Sequence, residues 1–296
     1  MRLQLLTALL LTTLLPRSAQ GAPLPPPARV TILYDAFGER AGLTRDWGFA
    51  ALVEYAGKRV LFDTGNNADI FAHNVQALHV DLRTLDFVVV SHRHGDHIAG
   101  LTHVLQVNPH VKIYAPKEGF GIFGSALPGT FLRPDSSLPA RMRYFDGEPP
   151  AELRGGTAWP AADFTWVDGP TEVAPGFVIV STVSKTPGTL ELHELSLAVR
   201  TPQGLVLLVG CSHPGIETIL EAAAAAGDHV HMIFGGLHLV TTPGAEIERI
   251  AVSLHDHWHL DLIAPGHCTG EPAFAELERR FGRRYVYAGL GTVVEL

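Results

Sequence analysis

Short apolar runs alternate with polar, glycine-rich turns along this chain, a rhythm that predicts many strands with helices between them. Residues 30–34, 48–55 and 59–62 read as strands, with Gly57 as the turn between the last two. Apolar positions over 69–78 recur at helical spacing. The unbroken apolar run at 85–90 predicts a strand buried on both faces. A helix at 98–107 and a strand at 111–115 complete a first half.

Regularity then fails from Pro116 to about Pro175, where Gly, Pro and aromatic residues dominate: Phe120, Phe123, Phe131, Trp159, Phe164 and Trp166. So long an aperiodic stretch is functional or disordered, and its aromatic content argues for function, so it reads as a lid or pocket wall inserted at 116–175. The first style resumes afterwards. Strands are expected at 177–183, 195–200, 205–209, 230–234, 262–264, 285–287 and 292–295, and helices at 216–226, 245–257 and 272–281. Two strand-rich halves with interspersed helices predict two packed sheets under outer helices, an αββα sandwich of the α/β class spanning 29–296. No short-period repeat appears, which excludes a solenoid or propeller.

Composition narrows the partners. The chain has 296 residues, 46% hydrophobic and 18% charged, enough to bury a full core. Its formal net charge of −8, with no basic run, disfavours nucleic acid and points to a small-molecule substrate. Residues 1–22 read as an export signal: Arg2, an apolar run of 13 residues, then the small residues Ser18, Ala19, Gly21 and Ala22. That run is too short to span a bilayer comfortably, so cleavage is expected, with no stable membrane span afterwards and a secreted or periplasmic product. Residues 23–28, rich in Pro, form a stiff spacer. Cys211 and Cys268, the two cysteines, exclude a disulfide framework, although one bridge is possible in an oxidising compartment.

Chemistry concentrates in Ser91-His92-Arg93-His94-Gly95-Asp96-His97, directly after the buried strand. Three imidazoles and a carboxylate at a strand-to-helix turn can converge on one point above a sheet edge. Such donors suit zinc, iron or manganese, and the spacing suits one or two divalent ions.

This turn resembles the H-x-H-x-D-H hallmark of the metallo-β-lactamase superfamily, and the resemblance covers nearly all of residues 29–296. Leu61-Phe62-Asp63-Thr64-Gly65 is similar to that superfamily's early strand-end motif. The resemblance implies that Asp63 orients a ligating histidine through its other ring nitrogen. Gly210-Cys211-Ser212-His213-Pro214-Gly215, Gly235-Gly236-Leu237-His238 and Pro265-Gly266-His267-Cys268-Thr269-Gly270, with Trp47-Gly48-Phe49, are similar to one subgroup. That subgroup is named for 7,8-dihydropterin-6-methyl-4-(β-D-ribofuranosyl)aminobenzene 5′-phosphate synthase and includes many bacterial members of undefined substrate. The resemblance makes His213 the third ligand of a first ion and His267 a ligand of a second. Cys211 falls where most of the superfamily places a bridging Asp, and it reads either as a thiolate ligand or as a buried structural cysteine. His238, after a Gly-Gly turn, reads as a ligand, a proton shuttle or a substrate contact.

Other histidines carry less. His255, His257 and His259 fall at a helix end with His257 pointing away from the other two, and His229 and His231 alternate at a strand start. His193-Glu194 lacks the second histidine of a zincin helix, though Glu194 can still face the site. The leading expectation is a metal-dependent hydrolase in which an ion-activated hydroxide attacks carbon or phosphorus of an ester, lactone or phosphoester, with Asp96 orienting the water and His238 in a catalytic role. Two alternatives stand beside it: a synthase-like transfer to an aryl acceptor, and a metal-binding or sensing protein without catalysis.

Overall fold

A computed structural model describes residues 28–118, 123, 126–133, 135–154, 159–185, 191–225 and 229–296. The expected export signal, nearly all of the Pro-rich spacer and Phe120 lie outside those residues. Among the described residues no helix is long and apolar enough to cross a membrane.

A seven-stranded sheet holds β1 (Arg29–Tyr34), β2 (Ala50–Tyr55), β3 (Lys58–Phe62), β4 (Phe87–Val89) and β5 (Lys112–Pro116). A small ribbon, β6 (Ala126–Pro128) with β7 (Glu152–Arg154), stands apart; β8 (Asp163–Val167) then joins the sheet beside β5. The six-stranded second sheet holds β9 (Thr171–Ala174), β10 (Phe177–Ser184), β11 (Leu192–Thr201), β12 (Gly204–Val209), β13 (Val230–Gly236) and β14 (Leu262–Gly266). β15 (Val293–Glu295) closes the free edge of β1. The helices are α1 (Ala68–Ala77), α2 (Gly95–Ile98), α3 (Leu101–Val107), α4 (Ile216–Ala224), α5 (Gly244–Val252) and α6 (Glu271–Phe281).

The apolar runs are continuous because both faces of each sheet are covered. In β3 and β4, Val60, Phe62, Phe87 and Val89 point between the sheets, toward Phe177, Leu197, Leu208 and Phe234. Leu61 and Val88 point the other way, onto Phe71, Val75, Leu101 and Val104 of α1 and α3. The second sheet repeats this: Leu207 and Ile233 face Ile219, Ile250 and Leu277 of α4, α5 and α6. Alternate residues therefore enter different cores, and the expected αββα sandwich is the observed one.

Strands β3, β4, β5 and β8 run parallel, as do β12, β13 and β14. Parallel strands deliver their following loops to one end, where ligands collect in open α/β sheets. The carboxyl ends of both parallel blocks meet there.

Several elements depart from expectation. The helix expected at 98–107 starts earlier and is split into α2 and α3. The helix expected to reach His257 ends as a π turn over Ser253–His257. No strand forms at 285–287; one bridge joins Tyr285 to Ile263, after which the chain leaves the edge and seats the Tyr287 ring against Phe37 at 5.9 Å. β11 starts at Leu192, so His193 and Glu194 lie within a strand rather than before one. Within 116–175, β8 and β9 each extend a main sheet.

Candidate metal centre

The centre is assembled from both sheets. At the end of β3, Asp63 sits fully buried in a left-handed conformation (φ 57°), which a short polar side chain tolerates. Its Oδ1 accepts from the Ser91 amide at 2.7 Å, and its Oδ2 accepts from the Ser91 hydroxyl at 2.7 Å. The Ser91 hydroxyl in turn takes the Nδ1 proton of His92 at 2.8 Å, and Asp63 Oδ2 takes that of His97 at 2.7 Å. One carboxylate thus orients two imidazoles through Nδ1 and turns their Nε2 atoms toward the centre, the arrangement a ligand histidine needs.

Those Nε2 atoms face other donors. His92 Nε2 lies 3.1 Å from His94 Nδ1, and His97 Nε2 lies 3.2 Å from Cys211 Sγ. Gly48 lets the start of β2 cross this turn: a Cβ there would stand 2.5 Å from the Asp96 carbonyl oxygen.

The second sheet supplies the rest. Cys211, Ser212 and His213 follow β12, and their three amides donate to the buried Glu194 carboxylate at 2.9, 2.7 and 2.8 Å. His267 follows β14, and its amide donates to buried Asp35 at 2.9 Å. His238 stands beyond β13, exposed, with its ring 4.2 Å from that of His213. Ser212, His238 and His267 share positive φ with Asp63 (64°, 54° and 40°). Left-handed non-glycine residues at one place mark a loop geometry held for a purpose.

The donor atoms form overlapping groups, each within 4.8 Å: His92, His94 and His213; Asp96, His97 and His267; His92, His97 and Cys211; and Cys211, His238 and Cys268. Every residue expected as a ligand is therefore in the cluster. The nitrogens also lack other employment: His213 Nε2 and both ring nitrogens of His267 are buried without a hydrogen bond among the described residues. His267 Nε2 approaches Asp96 Oδ2 at 3.4 Å, outside hydrogen-bond geometry. Orphaned buried nitrogens are costly unless a cation or proton satisfies them, so the residues fit divalent metal.

Electrostatics agree. Burial, with neighbouring imidazoles, holds His92 far below its ordinary value and His213 at about 3, so both are neutral donors. Burial also opposes the charged form of His97, but the Asp63 charge and hydrogen bond outweigh it and hold His97 at about 9. Burial would raise Asp96, yet the nearby imidazoles of His267 and His97 keep it well below the carboxylate range. Burial pushes Asp35 and Glu194 up to about 7.

Beside the centre opens a cleft of about 480 Å³ lined by Phe37, Trp47, Val240, His267, Glu271 and Phe274. Trp47 is 45% exposed and its ring lies 4.9 Å from that of His267. These aromatics are not the ones expected. Phe123 and Phe164, 5.5 Å apart, and Trp159, bonded through Nε1 to Thr102 at 3.1 Å, pack on the outer core under α3. An aromatic segment next to a sheet edge finds core before it finds substrate.

Sequence alone gave no role to Asp35 or to the Phe37–Phe274 wall. One signal was available: Asp35 follows an apolar strand as Asp63 does. His255, His257 and His259 join no donor group; His255 pairs with Asp256 and Arg284. His229 and His231 share Asp261 at 3.0 and 2.8 Å.

Known proteins share this fold. The family described as "Metallo-beta-lactamase superfamily" matches residues 44–220. The chain is 26% identical, over 81% of its length and 86% of the relative's, to 7,8-dihydropterin-6-methyl-4-(beta-D-ribofuranosyl)-aminobenzene-5'-phosphate synthase of Methanocaldococcus jannaschii. Among solved structures, a metal-dependent hydrolase of the beta-lactamase superfamily superposes with TM-score 0.68 at 26% identity, covering 90% of this chain and 98% of that one. The metallo-beta-lactamase fold protein YhfI of Bacillus subtilis shares the fold, with TM-score 0.57 at 14% identity over 92% of this chain and all of that one.

Proposed function

Because the chain belongs to the metallo-beta-lactamase superfamily, we propose that it is an exported metal-dependent hydrolase of a small ester, lactone or phosphoester whose apolar body fills the cleft at Trp47. One observation carries this reading: the overlapping donor groups formed by His92, His94, His97, Asp96, Cys211, His213 and His267, with buried ring nitrogens of His213 and His267 that have no hydrogen-bond partner among the described residues.

His92, His94 and His213 would hold one ion, and Asp96, His97 and His267 a second, with Cys211 beside both. Imidazole and thiolate donors favour zinc over harder cations. A divalent ion so held supplies Lewis acidity, lowering the pKa of water toward ~7 and stabilising developing negative charge. The chain's own groups do the rest. Asp96, held ionised, accepts a hydrogen bond from the attacking water and aims it. His238, exposed at the mouth and raised above the ordinary imidazole value by its hydrogen bond with Cys268, delivers a proton to the leaving group. Phe37, Trp47 and Phe274 bind the apolar body and keep bulk water from it. The resemblance to a metal-dependent hydrolase over almost its whole length supports hydrolysis.

A second reading is group transfer to an aryl acceptor, favoured by the similarity to a synthase. Assays of lactone, phosphodiester, sulfate-ester and β-lactam substrates, each with and without an arylamine, separate the two by product. His94→Ala is expected to abolish metal-dependent turnover; full activity in that variant without bound metal would refute both readings.

A further inference from the structure

Cys211 and Cys268 end two strands that are not neighbours: Cys211 follows β12, Cys268 follows β14, and β13 lies between them. Strands two apart are separated by roughly 10 Å, too far for their side chains to meet across an ordinary residue. The middle strand gives way here. It ends at Gly236, where a Cβ would stand 2.8 Å from Cys268 Sγ and 3.4 Å from Cys211 Cα. Cys268 Sγ passes through that gap and donates to the Cys211 carbonyl at 3.6 Å. The two sulfurs and a ring nitrogen of His238 lie within 4.8 Å of one another. Both cysteines are free and buried, at 3% and 2% exposure.

The metal reading employs only Cys211. Cys268 is thus a second thiol brought, through a missing side chain, to the one thiol that touches the ligand set: Cys211 Sγ is 3.2 Å from His97 Nε2. Beyond its hydrogen bond with His238, the hydrolytic chemistry gives Cys268 no task. We propose that Cys211 and Cys268 form a reversible disulfide across Gly236, and that this bond takes Cys211 away from the ligand histidines. The second half of this statement rests on the proposed metal centre, whereas the bond itself does not.

A peroxide is the oxidant class that suits a buried pair, being small and neutral. One thiolate attacks the O–O bond, giving a sulfenic acid and, after protonation, water. The other sulfur then displaces the sulfenic oxygen as a second water. The sum is two thiols and one peroxide consumed, one disulfide and two waters formed. A resolving thiol at this distance intercepts the sulfenic acid before further oxidation. In the disulfide the sulfurs stand about 2.05 Å apart, so closing the pair draws Cys211 Sγ toward β14 and away from His97.

The test treats the full, metal-loaded protein with stoichiometric hydrogen peroxide. Thiols are counted after denaturation, linked peptides are mapped by mass spectrometry, and bound metal is measured after gel filtration. Both thiols are expected to disappear together, with a Cys211–Cys268 peptide and loss of bound metal; dithiothreitol and fresh metal restore both. In Cys268→Ser, metal content is expected to match the untreated parent, but peroxide should drive Cys211 to acids that dithiothreitol does not reverse. Thiols that stay reduced, or that oxidise without a linked peptide, overturn the proposal. A linked peptide formed with no loss of metal overturns the control of the centre and removes Cys211 from the ligand set, while leaving the hydrolase reading to its own turnover assay. A third ion held by Cys211, His238 and Cys268 would appear as extra metal with unreactive thiols, and it too would refute the disulfide.

Discussion

The two halves of the centre solve one problem in different ways. The first sheet places His92, His94, Asp96 and His97 within a single turn and steadies two of the imidazoles from one carboxylate, Asp63. The second sheet gathers Cys211, His213, His238 and His267 from three successive parallel strand ends, and two carboxylates steady all but His238 through backbone rather than rings: Glu194 takes the amides of Cys211, Ser212 and His213, and Asp35 takes those of His267 and Ala36. In one half the carboxylate fixes the orientation and protonation of the ligand. In the other it fixes the path of the loop that presents the ligand. Both halves therefore depend on buried carboxylates that touch no donor–donor gap themselves, and the comparison can be broken from either side.

The largest effect is expected from Asp63→Asn. Asn tolerates the left-handed backbone, so the fold should survive, but its amide cannot accept from both Ser91 and His97. Loss of such a partner typically costs 10–100-fold in metal affinity. Competition with a chelator should show that loss for ions held by His92 and His97, and unchanged affinity would refute the role given to Asp63.

Glu194→Gln strikes the other half and should read out in folding more than in metal. Glu194 Oε2 accepts from the His213 amide, and a Gln must place either its N–H group there or against the two amides on Oε1. A buried donor facing a donor costs about 1–3 kcal/mol. Denaturant unfolding of the metal-free variant should show that drop, and a stability equal to the parent would remove Glu194 as the loop's anchor.

These two sites also show how far the sequence could be read. The turn at 91–97 was legible because its donors lie within one short window after an apolar strand. The sandwich was legible because its runs have the length and unbroken apolarity of strands covered on both faces. His213 and His267 were reached through resemblance, since only the parallel order of β12, β13 and β14 brings residues so distant in sequence together. Glu194 is one polar residue inside an apolar strand, and no local pattern distinguishes a buried acceptor of three amides from an exposed carboxylate. Phe123, Trp159 and Phe164 were hard to place for a related reason: composition shows that rings will be buried, but not on which side of a sheet. Cys268 could be read only as one end of a possible bridge, because its place beside Cys211 depends on Gly236, an absence of side chain one strand away.

The smallest expected effect is a count of protons. His97 is held protonated up to about 9 by Asp63, and hydrogen bonding to Cys268, with burial, raises the Cys211 thiol. Both must lose a proton to bind metal. A raised value in the metal-free protein means that protons compete better at lower pH, so affinity should climb as pH rises toward about 9. Calorimetric titration in two buffers of different ionisation enthalpy should show net proton release near neutrality; proton-neutral binding would place neither group among the ligands.

The central claim is that both sheets grip the same ions. Anomalous X-ray diffraction from crystals of the zinc-loaded, reduced protein tests it directly. One peak is expected among His92, His94 and His213 and another among Asp96, His97 and His267, with Cys211 Sγ within bonding distance of an ion. Peaks touching donors of the first sheet alone, or no peak at either set, would contradict it.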